Sequence, residues 1–239
     1  MLTRITAVAT FTRMPRVARV VIPGVPHHVT QRGNNRQDVF FNDDDRRAYL
    51  QILAVQSQRF KLAILGYCLM TNHVHLLAVP ERKNSLARAV GRTHYLYTLY
   101  INRLHGRSGH LWQNRFFSCG LDDKHAYCAL RYVELNPVRA RIARRAWTYA
   151  WSSAAAHCGE GEADRVLTME SWRRHWNSSK WREELARGQS AAEVLAMRRN
   201  THTGRPLGGD SFVSKLEHAL NRRLRPFEVG RPRKAARKK

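Results

Sequence analysis

The sequence predicts an α+β fold: a ferredoxin-like split βαβ with an antiparallel sheet and additional C-terminal helices. Three observations predict it. Short apolar runs of strand character alternate with two long stretches of helical periodicity, in the order strand, helix, strand, strand, helix, strand. The two middle strands are separated only by Thr71-Asn72, so they must form an antiparallel hairpin. A further helix follows the fourth strand.

Each element has a local reason. Residues 1–14 form a lead-in whose apolar run is interrupted by Arg4, Thr6 and Thr10, unlike a signal peptide, and Met14 offers an alternative start. Pro26 to Gly33 reads as the first strand, ended by the Gly33-Asn34-Asn35 turn. Asn42 and the Asp43–Asp45 run suit a helix N-terminus, where side-chain oxygens accept from free N–H groups and acidic charge meets the dipole. That helix runs to about Phe60. Lys61 to Met70 is a buried strand. Asn84 or Ser85 caps a second helix to about Leu104, with Leu86, Val90, Tyr97, Ile101 and Leu104 at helical spacing. His110 to Gly120 is expected as the fourth strand, and Asp122-Asp123 open the third helix, which Pro137 stops.

Composition bounds the function. Lys and Arg number 42 against 18 Asp and Glu, a net charge of +24. Such an excess repels itself unless a polyanion neutralises it, which points to nucleic acid. No run of about 18 apolar residues is present, so no membrane-spanning helix is expected, and no basic amphipathic helix suggests a membrane surface. The four cysteines contain no C-x-x-C pair and read as small buried hydrophobes of a reducing cytoplasm.

Two stretches carry chemistry. The third strand, Thr71 to Val79, puts His73, His75 and Leu77 on one face and Val74, Leu76 and Ala78 on the other. Two neutral imidazoles on a rigid strand form half of a metal site, although with twelve histidines in the chain the spacing also arises by chance. The third helix, Asp123 to about Asn136, is the second stretch. At about 100° per residue, Asn136 falls about 40° from Tyr132, while Ala126, Leu130 and Val133 form the core stripe. Arg131, Glu134 and Tyr127 fall on the expected solvent side. Spacing therefore favours Tyr132 over Tyr127 as a functional residue. It equally suits Tyr132 as a packing aromatic and Asn136 as a C-cap.

These residues carry a resemblance. His73-Val74-His75, the Trp112-Gln113-Asn114-Arg115-Phe116 segment and the run from Tyr132 through Asn136-Pro137-Val138-Arg139-Ala140 resemble the IS200-like, single-tyrosine HUH transposases, above all the REP-associated branch. The resemblance includes Pro23-Gly24 with His27-His28 and Tyr149-Ala150-Trp151-Ser152-Ser153, and covers about residues 15–157. In the insertion-sequence enzymes the residue four after the tyrosine is usually Gln. Asn136 stands there in this chain, as in the REP-associated branch, which keeps metal chemistry and leaves autonomous transposition open. The resemblance implies a DNA transposase in which Tyr132 attacks a DNA phosphate and forms a 5′-phosphotyrosine. A divalent ion, Mg²⁺ or Mn²⁺, would be held by His73, His75 and Asn136. Two imidazoles and an amide oxygen suit these ions better than a closed zinc site.

The expected substrate is single-stranded DNA or a hairpin, with no membrane partner and a homodimer as an open option. Arg32, Arg115, Arg139 and Arg141 are candidate phosphate contacts; a solvated basic face is the plainer reading of each. After residue 157 the composition shifts to a linker and small helical segment over 158–197, with Trp172, Trp176 and Trp181 read as packing. A basic tail over 198–239 follows, with 13 Lys and Arg against 3 acidic residues and a short helix at Phe212–Leu220. Arg231-Pro232-Arg233 resembles an AT-hook, whose arginines enter a narrow minor groove. Such a protein would work in the cytoplasm, at the nucleoid. Two other readings stay open: a catalytically idle DNA-binding repressor or scaffold, and an RNA-binding protein, which the same fold also serves.

Overall fold

The computed structural model describes residues 19–162, 164–173 and 176–226. The lead-in 1–14 and the Arg231–Arg233 motif lie outside the described residues. Strands β1 (His27–Arg32), β2 (Leu62–Met70), β3 (His73–Pro80) and β4 (Phe117–Gly120) form a four-stranded sheet in the order β2-β3-β1-β4. Every pairing is antiparallel, as the ferredoxin-like reading expects.

Helices α1 (Asp43–Arg59) and α2 (Ser85–Leu104) cover one face. Asn42 accepts from the Asp45 N–H while Asp45 accepts from the Asn42 N–H, a reciprocal cap that fixes where α1 begins. Against these helices pack Val29, Val74, Leu76 and Ala78 from the sheet, with Tyr49 and Tyr97 from α1 and α2. The Tyr97 hydroxyl donates to the Val39 carbonyl at 2.6 Å, so a buried phenol is satisfied.

The opposite face carries α3 (Asp123–Glu134). Leu77 and Cys119 of the sheet meet Ala126, Ala129 and Leu130 there. Gly66 lets α3 settle close to β2, because a Cβ at that position would lie 2.2 Å from Leu130 Cδ1. Beyond α3 come α4 (Asn136–Arg139), α5 (Ala154–His157), α6 (Met169–Arg173), α7 (Ser178–Arg187), α8 (Ala191–Thr203) and α9 (Asp210–Leu220). The sheet is thus covered on both faces. No described helix is long and apolar enough to cross a membrane.

Four expectations are corrected. The fourth strand spans only Phe117–Gly120. Upstream of it Asn114 turns at φ 57° and breaks the ladder, leaving Trp112 an isolated antiparallel bridge to Gly33 while its ring stacks on His94 with centres 4.5 Å apart. The aromatic weight of that stretch, Trp112 and Phe116, joins the core beneath α1 and α2. α3 ends at Glu134, just ahead of Pro137 as expected, but the chain does not leave helical geometry there: it restarts at Asn136 as α4, with proline in the first turn, where a missing N–H costs nothing. The supposed solvent side of α3 is covered, with Glu134 buried and Tyr127 and Arg131 partly so. Glu134 is fully buried and accepts from Ser153 Oγ at 2.5 Å and Trp181 Nε1 at 2.7 Å, with His157 Nδ1 also at 2.5 Å. Tyr127 packs edge-on against Trp181, and Arg131 donates to the Gly188 carbonyl. The helical wheel assumed one covered face, but α5, α7 and α8 cover the other. Finally, α8 runs across residue 198, where the basic tail was expected to begin. A capping box between Ser190 and Glu193 starts this helix, and it packs on β4, β1 and α3.

Candidate nucleic-acid and metal site

The site grows from strand register. β1 and β3 pair so that Thr30 faces His75 and Arg32 faces His73. Residues opposite each other share a face, as do those two apart, so His28, Thr30 and Arg32 join His73 and His75 on the α3 side of the sheet. There α3 delivers Tyr132, only 4% exposed. Its ring stands edge-on to His75 and to His28, with centres 5.6 and 5.4 Å away. His73 and His75 are themselves edge to face at 5.0 Å. A cavity of about 900 Å³ opens over this group, lined also by Asn136, Arg139 and, from α8, Arg198, Arg199 and Thr201.

Electrostatics fit an anionic guest, and the imidazoles beside it stay neutral. None of the described residues lining the cavity is acidic, while Arg32, Arg36, Arg139, Arg198 and Arg199 all line it. Burial, then the nearby Arg139, lowers the His28 imidazole to about 3. Burial, then Arg32, lowers His73 to about 4, and His75 falls well below its ordinary value, chiefly through burial. All three rings are therefore neutral near pH 7, the form in which imidazole can bind a metal. Burial also lowers the Arg139 guanidinium from its usual value. That guanidinium lies 4.2 Å from the centre of the Tyr132 ring and donates to the Tyr132 carbonyl. It braces the tyrosine by stacking and by a hydrogen bond.

The donor chemistry suits a divalent cation. His73 Nδ1 lies 2.7 Å from Asn72 Oδ1, and His75 Nδ1 lies 2.9 Å from His28 Nε2. On both rings the Nε2 is the nitrogen left for a ligand. The Asn136 amide nitrogen donates to the Tyr132 and Val133 carbonyls at 3.0 and 3.1 Å, which caps α3 and leaves Oδ1 as its uncommitted atom. Among the described residues no group of three or more His, Cys, Asp or Glu could hold a metal ion. The expected set needs no such group, because its third donor is an amide.

The cavity therefore brings together Tyr132, His73, His75, Asn136, Arg32 and Arg139. It does not include Arg115, which lines a separate cleft with His94, Trp112 and Phe116. Arg141 is exposed at φ 58° and does not line the cavity. Arg231 and Arg233 fall outside the described residues. Sequence reasoning missed His28, Thr201, Arg198 and Arg199 as site residues. His28 had a signal, since it sits at the right parity on β1. The α8 residues had none, because nothing in a local pattern says that a distant helix folds back over the strands.

Residues 23–136 match the model of a family described as IS200-like transposase. The structure of a REP-associated tyrosine transposase bound to a REP hairpin superposes with a TM-score of 0.54 at 15% identity, covering 65% of this chain and 92% of that one. That likeness shows the fold. A Deinococcus radiodurans R1 protein described provisionally as a transposase gives a TM-score of 0.36 at 17% identity over 54% of this chain and 92% of that one. No curated protein sequence matches this chain.

Proposed function

We propose that this chain, which carries an IS200-like transposase domain over residues 23–136, cuts and rejoins single-stranded or hairpin DNA through Tyr132 with a divalent metal ion. The observation that carries the reading is the convergence of Tyr132, His73, His75 and Asn136 on one arginine-lined cavity. The net charge of +24 supports a polyanionic substrate. The solved transposase of similar fold binds a REP hairpin, and we extend a DNA hairpin to this chain on that basis.

Tyr132 Oη attacks phosphorus in line with the bond to the 3′ oxygen. The new Oη–P bond replaces the P–O3′ bond, the phenol gives up its proton, and the departing 3′ oxygen takes one. The products are a 5′-phosphotyrosine and a free 3′-hydroxyl. The bond energy is kept in the tyrosyl ester, so attack by a 3′-hydroxyl can reseal the strand without ATP. A phenol titrates near 10 and is a weak nucleophile at neutral pH. His73, His75 and Asn136 would hold Mg²⁺ or Mn²⁺, which supplies polarisation of the scissile phosphate and its alignment for attack. Arg32 and Arg139 hold the flanking charge. The neutral histidines need no deprotonation before they bind the ion.

The test is covalent capture of end-labelled single-stranded and hairpin DNA with Mn²⁺ and with excess chelator. The expected result is a protein–DNA adduct that forms only with metal and carries the label on the 5′-phosphate side of the cut. Binding without any adduct would identify a catalytically idle DNA-binding protein instead.

A further inference from the structure

His75 is not an isolated ligand. Its Nδ1 lies 2.9 Å from His28 Nε2, and His28 Nδ1 lies 2.7 Å from Thr201 Oγ1. The His28 and His75 rings are nearly parallel, with 9° between their planes. His28 and Thr201 are 1% and 2% exposed, so their polar atoms are withdrawn from bulk water and rely on one another. The row thus runs from β3 through β1 to α8, beyond the segment that matches the family model.

We propose that His28 and Thr201 are positioning residues that set the tautomer and ring orientation of His75, and that α8 is therefore part of the catalytic site. The proposal rests on the metal reading of His73 and His75. A neutral imidazole carries one N–H and one lone pair. For His75 to offer a lone pair on Nε2, its proton must sit on Nδ1, and that N–H needs an acceptor. His28 Nε2 is that acceptor, which forces the His28 proton onto Nδ1. Thr201 Oγ1 then accepts from His28. Its own hydroxyl proton has Cys119 Sγ at 3.3 Å as acceptor. Every buried polar atom in the row is satisfied in this one direction with His75 Nε2 open. In the reverse direction Thr201 donates to His28 and His28 to His75, and His75 Nε2 bears a proton and cannot bind a cation. Hydrogen-bonded second partners of this kind orient metal-binding histidines and raise their basicity.

The experiment uses the full chain. Its histidine ¹⁵N NMR spectrum, recorded without metal, reads the His75 tautomer, and Mn²⁺ titration without DNA reads affinity. His75 is expected to be protonated on Nδ1. Thr201→Val, which keeps shape and loses the oxygen, is expected to weaken Mn²⁺ binding about tenfold or more and to disturb that tautomer. Thr201→Ser restores both, which a packing role for the threonine methyl would not produce. Wild-type Mn²⁺ affinity in folded Thr201→Val, or His75 protonated on Nε2 in the unmodified protein, overturns the positioning role. Failure of the unmodified protein to bind Mn²⁺, with His75 protonated on Nδ1, overturns the metal reading instead.

Discussion

Tyr132 and Tyr127 lie on the same helix but meet different surroundings: the first faces His28 and His75, the second Trp176 and Trp181. Tyr132→Phe is therefore expected to abolish the covalent adduct while leaving DNA binding within about twofold, since only a hydroxyl is lost. Tyr127→Phe should leave adduct formation intact; exchange of the two phenotypes in the capture assay would move the nucleophile. His73→Ala or His75→Ala should each remove cleavage and weaken Mn²⁺ binding, and undiminished cleavage in excess chelator would sink the metal argument. Buried imidazoles also predict a pH dependence of stability. His94 lies under Trp112, with Tyr49 Oη 3.0 Å from its Nε2, and burial, then Arg19, lowers it from 6.5 to about 3. Unfolded, it protonates below about 6.5, so the unfolded chain binds more protons and stability falls as pH drops from 6.5 towards 3. One such group contributes a slope of at most about 1.4 kcal/mol per pH unit. Urea midpoints between pH 7 and 5 should show the decline, and His94→Gln should make it shallower. The parity of β3 puts His73 and His75 on one face and the phase of α3 favours Tyr132 over Tyr127, but spacing alone suits packing roles equally; the resemblance singles these residues out, and they line one cavity. The pairing of His28 with His75 is not legible in the sequence, because strand parity does not reveal which strands become neighbours.

At the scale of elements, the sheet and its two long helices follow from local pattern, and the covering of α3 does not. Glu134 shows why. On a wheel it falls among polar residues, yet α5 and α7 close over it and bring Ser153, His157 and Trp181 to its carboxyl group. A polar residue on a helix says that it needs partners, not whether those partners are water or another helix. Because α3 also carries Tyr132, this buried clasp fixes the helix from behind while Arg139 braces the tyrosine in front. Glu134→Ala strands the His157 and Trp181 donors, while Ser153 Oγ keeps the Tyr67 backbone as partner, and is expected to destabilise the protein by roughly 2–6 kcal/mol, about 1–3 for each stranded donor. Glu134→Gln keeps acceptor and shape at a cost of roughly 1–3 kcal/mol. Chemical denaturation followed by tryptophan fluorescence measures both, since Trp172, Trp176 and Trp181 surround the clasp. Equal stability of Glu134→Ala and the unmodified chain would show that α7 is held by apolar packing alone.

For the whole molecule the governing quantity is charge, and its distribution decides where truncation can be used. A cut before Arg198 would remove the end of α8, and with it Thr201 and two arginines of the cavity. It would confuse loss of the site with loss of a tail. A cut after residue 226 leaves every described residue in place and removes 227–239, which hold six Lys and Arg and one Glu. Each cation that neutralises a phosphate releases counterions, so log K against log salt should flatten by about 0.7 per lost contact on single strands. Six contacts would set an upper limit of about 4 on that change. Phosphate contacts position a protein without reading bases. The shortened protein should therefore bind more weakly at low salt, converge on the full chain at high salt, and cut the same phosphodiester. Salt titration of both proteins on one labelled strand, with cleavage positions mapped alongside, gives each outcome separately. An unchanged slope would mean that residues 227–239 do not touch the DNA. A moved cleavage position would mean that they read sequence, with Arg231 and Arg233 the first residues to replace.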